Sequence, residues 1–190
     1  MRIGLFGGSF DPVHLGHLLV AQAAREELEL TRLFVIPAAQ SPLKPERRPT
    51  DARQRVRLLR LALMGKPWIE IDEQELKRGG LSYTIDTLRD YAARFGGASI
   101  FYLIGADHVS QLLKWREAEA LARLAEFVVI PRPGQAQASL PAPFRGRQLE
   151  GFPLALSSSQ IRARIRAGQP IDHLVPGPVA EAIVNYRLYL

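Results

Sequence analysis

The residues nearest the N-terminus that could do chemistry lie in the segment GGSFDPVHLGH, residues 7–17. The segment follows a short apolar run and combines two glycines and a serine with His14 and His17. Glycines let a backbone approach an anion, and the start of a helix directs N–H groups and a positive dipole end toward it. Histidines three positions apart share one face of a helical turn, where they can donate hydrogen bonds to phosphate oxygens. The spacing therefore indicates a nucleotide phosphate site.

Two other interpretations of this segment stay open on the residues alone. A glycine turn between a strand and a helix is common, and its histidines would then lie on a solvated helix face. Two histidines can also ligate a metal, although the sequence has no HExxH pattern and no evident third ligand. Asp11 with Pro12 is typical of a turn, and we assign Asp11 no role in catalysis.

Short apolar runs alternate with amphipathic stretches along the chain, and this alternation predicts the elements that position the segment. Such alternation is typical of right-handed βαβ units on a parallel sheet. It predicts a doubly wound α/β fold with helices on both faces, whose ligands bind beyond the carboxyl ends of the strands. The predicted strands are Arg2–Phe6, Arg32–Ile36, Ile69–Asp72, Ile100–Ile104 and Phe127–Ile130. The predicted helices are Gly16–Leu28, Ala52–Met64, Thr84–Phe95 and Val109–Leu124.

Two proline-rich stretches interrupt the pattern. Residues 37–50 and 131–153 are predicted to be irregular, the second with one short strand at Gln148–Leu149. A run of serines is then predicted to cap a helix that runs to Ala167, with Gly168 as its stop, and a last helix is predicted at about Pro178–Leu188. Together they form a C-terminal helical segment. Because no repeat or boundary divides the sequence, we predict a single domain over all 190 residues.

The composition limits the classes of protein to which the chain can belong. It has 25 basic and 19 acidic residues, and the basic ones are mostly arginine, whose planar group suits phosphate. They are scattered rather than gathered in a tail, so charge alone does not separate a nucleotide enzyme from an RNA-binding surface. The lack of cysteine excludes disulfides and thiolate metal sites. Neither a membrane-spanning run nor a signal peptide is predicted, so we expect a cytoplasmic protein.

A second segment, LSSSQIR at residues 156–162, makes the first one specific. GGSFDPVHLGH resembles the HxGH signature of nucleotidyltransferases, and LSSSQIR is similar to their ISSTxIR signature. The two segments occur in the order and at the separation typical of that family, which transfers an adenylyl or cytidylyl group from a nucleoside triphosphate. The resemblance implies a Rossmann-like fold, in agreement with the predicted elements.

Stretches between the two signatures resemble the bacterial nicotinate mononucleotide adenylyltransferases. SYTIDTL at residues 82–88 matches their central motif, Trp115 follows at their spacing, and PRPG at residues 131–134 extends the match. In that family, backbone groups at the central motif hold the nicotinate carboxylate, and the tryptophan stacks on the pyridine ring. The resemblance therefore implies that Tyr83, Thr84 and Trp115 bind the nicotinate nucleotide. On the residues alone, SYT is also a common helix start, and a tryptophan is more often a packing residue.

The resemblance also implies which residues act on ATP. The residues expected to be catalytic are His14, His17, Lys44 and Arg162. The residues expected to bind ATP are Gly7, Gly8, Ser9, Phe10, Gly105, Asp107, Ser158 and Ile161. No residue is expected to ligate a metal, since Mg²⁺ would be carried by the ATP phosphates. The sequence departs from the family at SPLK, where the family commonly has PPHK: Lys44 is kept, but Leu43 replaces the histidine.

These residues predict adenylyl transfer from ATP to nicotinate mononucleotide, giving deamido-NAD and pyrophosphate in NAD biosynthesis. The expected partners are the two substrates, with Mg²⁺ as the cofactor that accompanies ATP. The alternatives are the same transfer to nicotinamide mononucleotide or phosphopantetheine, and a non-catalytic module that binds RNA or a protein. Retention of the two histidines, Lys44 and Arg162 argues against that module, so no nucleic-acid partner is expected. The sequence leaves the oligomeric state open, including a homo-oligomer.

Overall fold

The fold is built on one six-stranded parallel sheet with the strand order β3-β2-β1-β4-β5-β6. We describe it from a computed structural model, which covers residues 1–42, 46, 48–134 and 139–190. The strands are β1 (Arg2–Gly8), β2 (Arg32–Pro37), β3 (Ile69–Ile71), β4 (Ser99–Gly105), β5 (Glu126–Ile130) and β6 (Gly146–Gln148). The order reverses between β1 and β4, which is where ligands bind in doubly wound sheets. The predicted α/β fold is confirmed.

Helices cover both faces of this sheet. They are α1 (Leu15–Glu27), α2 (Ala52–Leu63), α3 (Gln74–Arg78), α4 (Thr84–Arg94), α5 (Ala118–Leu124), α6 (Ser158–Arg166) and α7 (Gly177–Asn185), with a 3-10 helix at Ala106–Lys114. Alternate residues of β1 point to opposite faces, as the two-residue period of a strand requires. Leu5 packs in the core beneath α4 and α5, whereas Phe6 packs in the core beneath α1, α2, α6 and α7.

The register of the central strands brings their carboxyl ends to one edge of the sheet. Gly8 of β1 lies opposite Pro37 of β2, and Phe6 lies opposite Leu103 of β4. The segments that leave these three strands therefore begin close together. This edge carries the glycine turn, the proline-rich segment that follows β2, and the chain that follows Gly105.

Most predicted elements are confirmed within a few residues, and one is wrong. The helix predicted at Val109–Leu124 is instead a 3-10 helix and the separate helix α5. The chain breaks between them because Trp115 is extended and Glu117 is left-handed, with a φ of 55°. Glu117 pairs with Arg89 of α4 at 2.5 Å, and Trp115 packs edge-on against Tyr102. These tertiary contacts override the helical spacing of the sequence.

Two smaller differences concern short elements. Helix α3 has no counterpart among the predictions, since its five residues are too few to establish a period. Strand β6 begins two residues before the predicted one, at Gly146. The serine cap is confirmed, because the Ser157 hydroxyl accepts a hydrogen bond from the Gln160 N–H at 3.3 Å, and Gly168 follows α6 with a φ of 65°.

Gly146 provides a test of how β6 joins the sheet. Its φ is 148°, and a Cβ at this position would lie 1.8 Å from the Phe127 carbonyl oxygen on β5. We expect Gly146→Ala to lower the free energy of unfolding by about 2 kcal/mol or more, because strain and a backbone clash act together. Urea unfolding measures the change, with Gly96→Ala as the control, since Gly96 is surrounded by open space. Equal midpoints for the two variants would contradict this account of β6.

Candidate active site

One cavity of about 730 Å³ opens at the carboxyl edge of the sheet, above the reversal between β1 and β4. Its volume is within the range of sites for small molecules and cofactors. Its wall combines the end of β1, the first turn of α1, the start of α4, the end of β4 and the start of α6. Predicted site residues in the wall are Gly7, Gly8, Ser9, His14, His17, Tyr83, Thr84, Gly105, Asp107, Trp115, Ser158 and Arg162.

His14 and His17 form a stacked pair at the start of α1. Their ring centroids are 3.7 Å apart, with an interplanar angle of 30°. His14 is the N-cap residue, and its backbone N–H donates to Nδ1 of His17 at 3.1 Å. Since Nδ1 accepts this hydrogen bond, a neutral His17 ring carries its proton on Nε2. The backbone of α1 therefore prepares His17 as a hydrogen-bond donor.

The surroundings keep both histidines neutral. Burial, and after it the positive charge of Arg132, lower the pKa of His14 from its ordinary value of 6.5 to about 4. The pKa of His17 is also lowered well below its ordinary value. Burial is the largest cause, and electrostatic interaction with His14 and then with Arg132 lowers the pKa in the same direction. Nδ1 of His14 is buried and has no hydrogen-bond partner among the described residues. A buried unpaired polar atom costs about 1–3 kcal/mol, which an incoming ligand atom can recover.

The two sequence signatures meet around a buried carboxylate. Asp11, which is 4% exposed, lies 3.8 Å from the Arg162 guanidinium, measured from Oδ2 to Nη1. Arg162 also donates to the Asp11 carbonyl and, from Nη2, to the Ser159 hydroxyl at 3.0 Å. The Ser158 hydroxyl donates to the Pro12 carbonyl at 2.9 Å. These contacts hold the first turn of α6 against the glycine turn, although about 150 residues separate the two along the chain.

The central motif forms a second wall at the start of α4. Ser82 does not cap this helix: its hydroxyl accepts from the Ala39 N–H at 2.9 Å, and its own N–H donates to the Gln40 carbonyl at 2.9 Å. In the described structure, the N-cap residue Tyr83 also makes no side-chain hydrogen bond to the helix. The Thr84 hydroxyl lies 3.2 Å from that of Tyr102. The start of α4 therefore faces the cavity with a positive dipole end that suits an anion.

Aromatic and cationic side chains flank this helix start. Trp115 ends the 3-10 helix, and its indole Nε1 is buried without a hydrogen-bond partner in the described part of the chain. The Arg116 guanidinium lies 4.9 Å from the centre of the Tyr83 ring, within the range of a cation–π interaction. This end of the cavity offers a flat aromatic surface beside positive charge.

The end of β4 supplies the third part of the wall. Gly105 allows a close approach here, because a Cβ at this position would lie 2.4 Å from Oδ1 of Asp107. Asp107 lies 3.8 Å from the guanidinium of Arg132, which follows β5. Arg132 is therefore a cation of the same cavity that also acts on the histidines.

Two predicted site residues lie outside the cavity wall, and a third is not among the described residues. Phe10 and Ile161 are buried in the core, with 1% and 0% exposure, and their side chains are not part of the cavity wall. Phe10 packs beneath His17, with ring centroids 5.0 Å apart. Lys44, like the neighbouring Leu43, lies outside the described residues, so its predicted role stays a prediction.

Several polar residues near the cavity are absent from the sequence predictions. Asp11 is buried against Arg162 rather than acting only in a turn. Arg132 belongs to the PRPG segment, but nothing in the sequence indicates that its positive charge acts on the two histidines. Arg55 and Glu75 are buried charged side chains with 1% and 5% exposure. Arg55 is in phase with the apolar positions of α2, which is a signal that a search for buried charges can use.

Comparison with known proteins supports one family. The sequence pattern of the cytidylyltransferase-like family matches residues 5–164. A protein of Opitutus terrae, described as a probable nicotinate-nucleotide adenylyltransferase, is 39% identical over 100% of this chain and 98% of its own. A protein of Bordetella pertussis with the same description is 41% identical, over 99% of this chain and 98% of its own.

A solved structure is similar in fold. Nicotinic acid mononucleotide adenylyltransferase of Plasmodium falciparum, solved in complex with NaAD, superposes with a TM-score of 0.80 at 18% identity. The match covers 99% of this chain and 97% of that one. At this identity the likeness concerns the fold.

The buried His14 generates a prediction about stability and pH. Because the folded state lowers the pKa of His14 to about 4, the unfolded chain binds more protons between pH 4 and 6.5. The free energy of unfolding therefore has its full value, as far as His14 is concerned, above about pH 6.5, and it falls as the pH decreases toward 4. We expect the wild type to lose about 3 kcal/mol more than His14→Gln over this window, as measured by urea unfolding at a series of pH values. Parallel stability curves for the two proteins would overturn the assignment of a buried neutral His14.

Proposed function

The chain belongs to the cytidylyltransferase-like family and to its nicotinate-nucleotide adenylyltransferases, and from this membership we propose that it transfers an adenylyl group from ATP to nicotinate mononucleotide. The products are deamido-NAD and pyrophosphate. The reaction is a step of NAD biosynthesis.

The observation that carries the proposal is that one cavity joins two unlike ends. Its first end, with the histidine pair and Arg162, suits a triphosphate. Its second end, with the start of α4 and Trp115, suits a flat ring that bears a carboxylate. Adenylyl transfer requires these two substrates side by side, with the attacking phosphate next to the α-phosphorus.

The proposed mechanism is an in-line displacement. A 5′-phosphate oxygen of the acceptor attacks the α-phosphorus of ATP, and the bond to pyrophosphate breaks on the opposite side. A phosphate monoester is already an anionic nucleophile, so the reaction needs no general base. His14, His17, Lys44 and Arg162 are proposed to orient the triphosphate and to stabilise its growing charge. Arg132 is added to this group because it lies in the same wall.

Mg²⁺ is proposed to enter with ATP. This ion usually keeps several waters and binds through substrate phosphates, where it neutralises charge on the oxygens. Two carboxylates of the cavity wall already face arginines at 3.8 Å, Asp11 facing Arg162 and Asp107 facing Arg132. The triphosphate oxygens are therefore the ligands that we assign to the ion. Among the described residues, no group of three or more His, Asp or Glu side chains has the arrangement of a metal site.

The site of action is proposed to be the cytoplasm, where ATP is supplied. None of the helices in the described part of the chain has the length and hydrophobicity needed to cross a bilayer.

Acceptor choice tests the proposal directly. We expect kcat/KM for nicotinate mononucleotide to exceed that for nicotinamide mononucleotide by roughly tenfold or more. The reason is that a carboxylate at a helix N-terminus beside a cation gains about 1–2 kcal/mol over a neutral amide. A coupled assay of pyrophosphate release measures the three candidate acceptors side by side, the third being phosphopantetheine, with acceptor-free reactions as the blank.

Each result of this assay has a definite meaning. Preference for the amide or for phosphopantetheine would overturn the assigned acceptor but keep the transfer. No pyrophosphate with any acceptor, together with salt-dependent binding of RNA, would overturn the enzyme in favour of a binding module.

His17 tests the proposed triphosphate end. We expect His17→Ala to lower turnover about a hundredfold, because loss of one donor to a charged transition state typically costs about 3 kcal/mol. Circular dichroism and the melting temperature establish that the variant is folded. The matched control is His173→Ala, since His173 is exposed and lies outside the cavity wall. Turnover near that of the wild type would refute the role of His17.

A further inference from the structure

Arg55 is a buried cation that the proposed mechanism does not use. It lies on α2 and is 1% exposed, whereas Arg53 and Arg57 on the same helix are exposed. Its side chain is not part of the cavity wall. Removing a guanidinium from water is costly unless hydrogen bonds and charges compensate for it. The contacts that compensate for it here connect three separate segments.

Among the described residues, the side chain of Arg55 makes three hydrogen bonds, and all of them go to backbone carbonyls. Nε donates to Thr50 at 2.8 Å, and Nη1 donates to Ser9 at 2.8 Å and to Ala38 at 2.9 Å. Ser9 belongs to the glycine turn at the proposed triphosphate end. Ala38 directly follows β2, and Thr50 precedes α2. Together with the hydrogen bond from the Ala38 N–H to the Gly8 carbonyl at 2.9 Å, this planar group holds the turn after β1 and the segment after β2 at a fixed separation.

The segment after β2 continues this connection to the other end of the cavity. The N–H of Ala39, next to Ala38, donates to the Ser82 hydroxyl at 2.9 Å. The N–H of Ser82 in turn donates to the Gln40 carbonyl at 2.9 Å. Ser82 immediately precedes Tyr83 and the start of α4. A continuous path of hydrogen bonds therefore runs from Ser9, through Arg55, to the proposed acceptor end.

A carboxylate balances the buried charge. Burial lowers the pKa of Arg55, and the nearby Asp11 is the largest influence that opposes this shift. Oδ2 of Asp11 accepts from the Thr50 N–H at 3.3 Å and lies 3.8 Å from Arg162. Asp11 is thus close to two arginines, one at the cavity wall and one beneath it.

Only a guanidinium fits this arrangement well. Its donors lie in one plane with fixed directions, so one group can meet the Ser9 and Ala38 carbonyls from Nη1 and the Thr50 carbonyl from Nε. A lysine keeps the charge but is a point donor on a flexible stem. Arg55→Lys therefore changes the geometry of the connection while it preserves the buried charge.

We propose that Arg55 is a positioning residue, which sets the separation between the triphosphate turn and the acceptor segment. The inference rests on the proposed adenylyl transfer, since it concerns how the two substrates of that reaction are aligned. Arg55 touches neither substrate. It acts on the backbone at Ser9 and, through Ala38 and Ala39, on Ser82.

The test compares Arg55→Lys with the exposed control Arg53→Lys. We expect Arg55→Lys to lower kcat by roughly 10- to 100-fold, because misplacement by about 1 Å can cost a hundredfold. Calorimetry with ATP alone and with nicotinate mononucleotide alone should give dissociation constants close to those of the wild type, since each end stays intact. Arg53→Lys should leave kcat unchanged.

Ser82→Ala provides a second variant that leaves the buried cation in place. It removes the hydroxyl that accepts from Ala39, one of the two hydrogen bonds that join Ser82 to the segment after β2, and so weakens the same path at its other end. We expect a loss of kcat of roughly tenfold for this variant. The double variant Arg55→Lys with Ser82→Ala should lose little more than Arg55→Lys alone, because both changes break one connection.

The outcomes separate this inference from the proposed function. If the wild type forms pyrophosphate and Arg55→Lys only lowers the melting temperature, with kcat unchanged, Arg55 is a packing residue and the inference fails. The inference would also fail if the losses of kcat in the two single variants multiply in the double variant. If Arg55→Lys does not fold, an unchanged kcat for Ser82→Ala would overturn the inference. If the wild type itself forms no pyrophosphate, the proposed function fails before any variant is compared.

Discussion

The parallel pairing of β1 between β2 and β4 is the constraint on which the site depends. It places Gly8, Pro37 and Gly105 at one edge of the sheet, so three connecting segments leave from nearly the same place. Because the chain turns to opposite faces on the two sides of β1, these segments diverge and leave a cavity between them. The place of the cavity follows from the sheet register before any side chain is considered.

Electrostatics at this edge is arranged by burial rather than by exposed charge. Asp11 and Asp107 each face an arginine, and both histidines are kept neutral by their surroundings. A site of this kind presents polarised N–H groups and guanidinium charge to an anion without the repulsion of two adjacent imidazolium ions. The same arrangement couples the site to folding, because the histidines proposed to bind the anion are also groups whose pKa values the fold has moved.

The sequence was sufficient for the sheet and for most of the residues that meet in the cavity wall, but not for the contacts that connect them. The spacing of apolar residues predicts the strands and most of the helices. The resemblance to the family's motifs indicates the histidines, Arg162 and Trp115. The break at Trp115 does not show, because contacts with Tyr102 and α4 override the helical spacing. The pairing of Ser82 with Ala39 is also hidden, since a serine before a helix is ordinarily its cap. Arg55 is an arginine like its exposed neighbours on α2, and only its position in the helical period of apolar residues indicates that it is buried.

The geometry of the histidine pair bears on the interpretations left open at the start. A solvated face is wrong for His14, which is 6% exposed. Chelation by the pair is disfavoured, because Nδ1 of His17 already accepts the His14 N–H and the two rings stack with their centroids 3.7 Å apart. What remains on His17 is a donor at Nε2, on a neutral ring that the helix start holds in place. A fixed donor that carries no charge of its own suits an oxygen whose negative charge increases during the reaction, because its dipole is oriented before that charge develops.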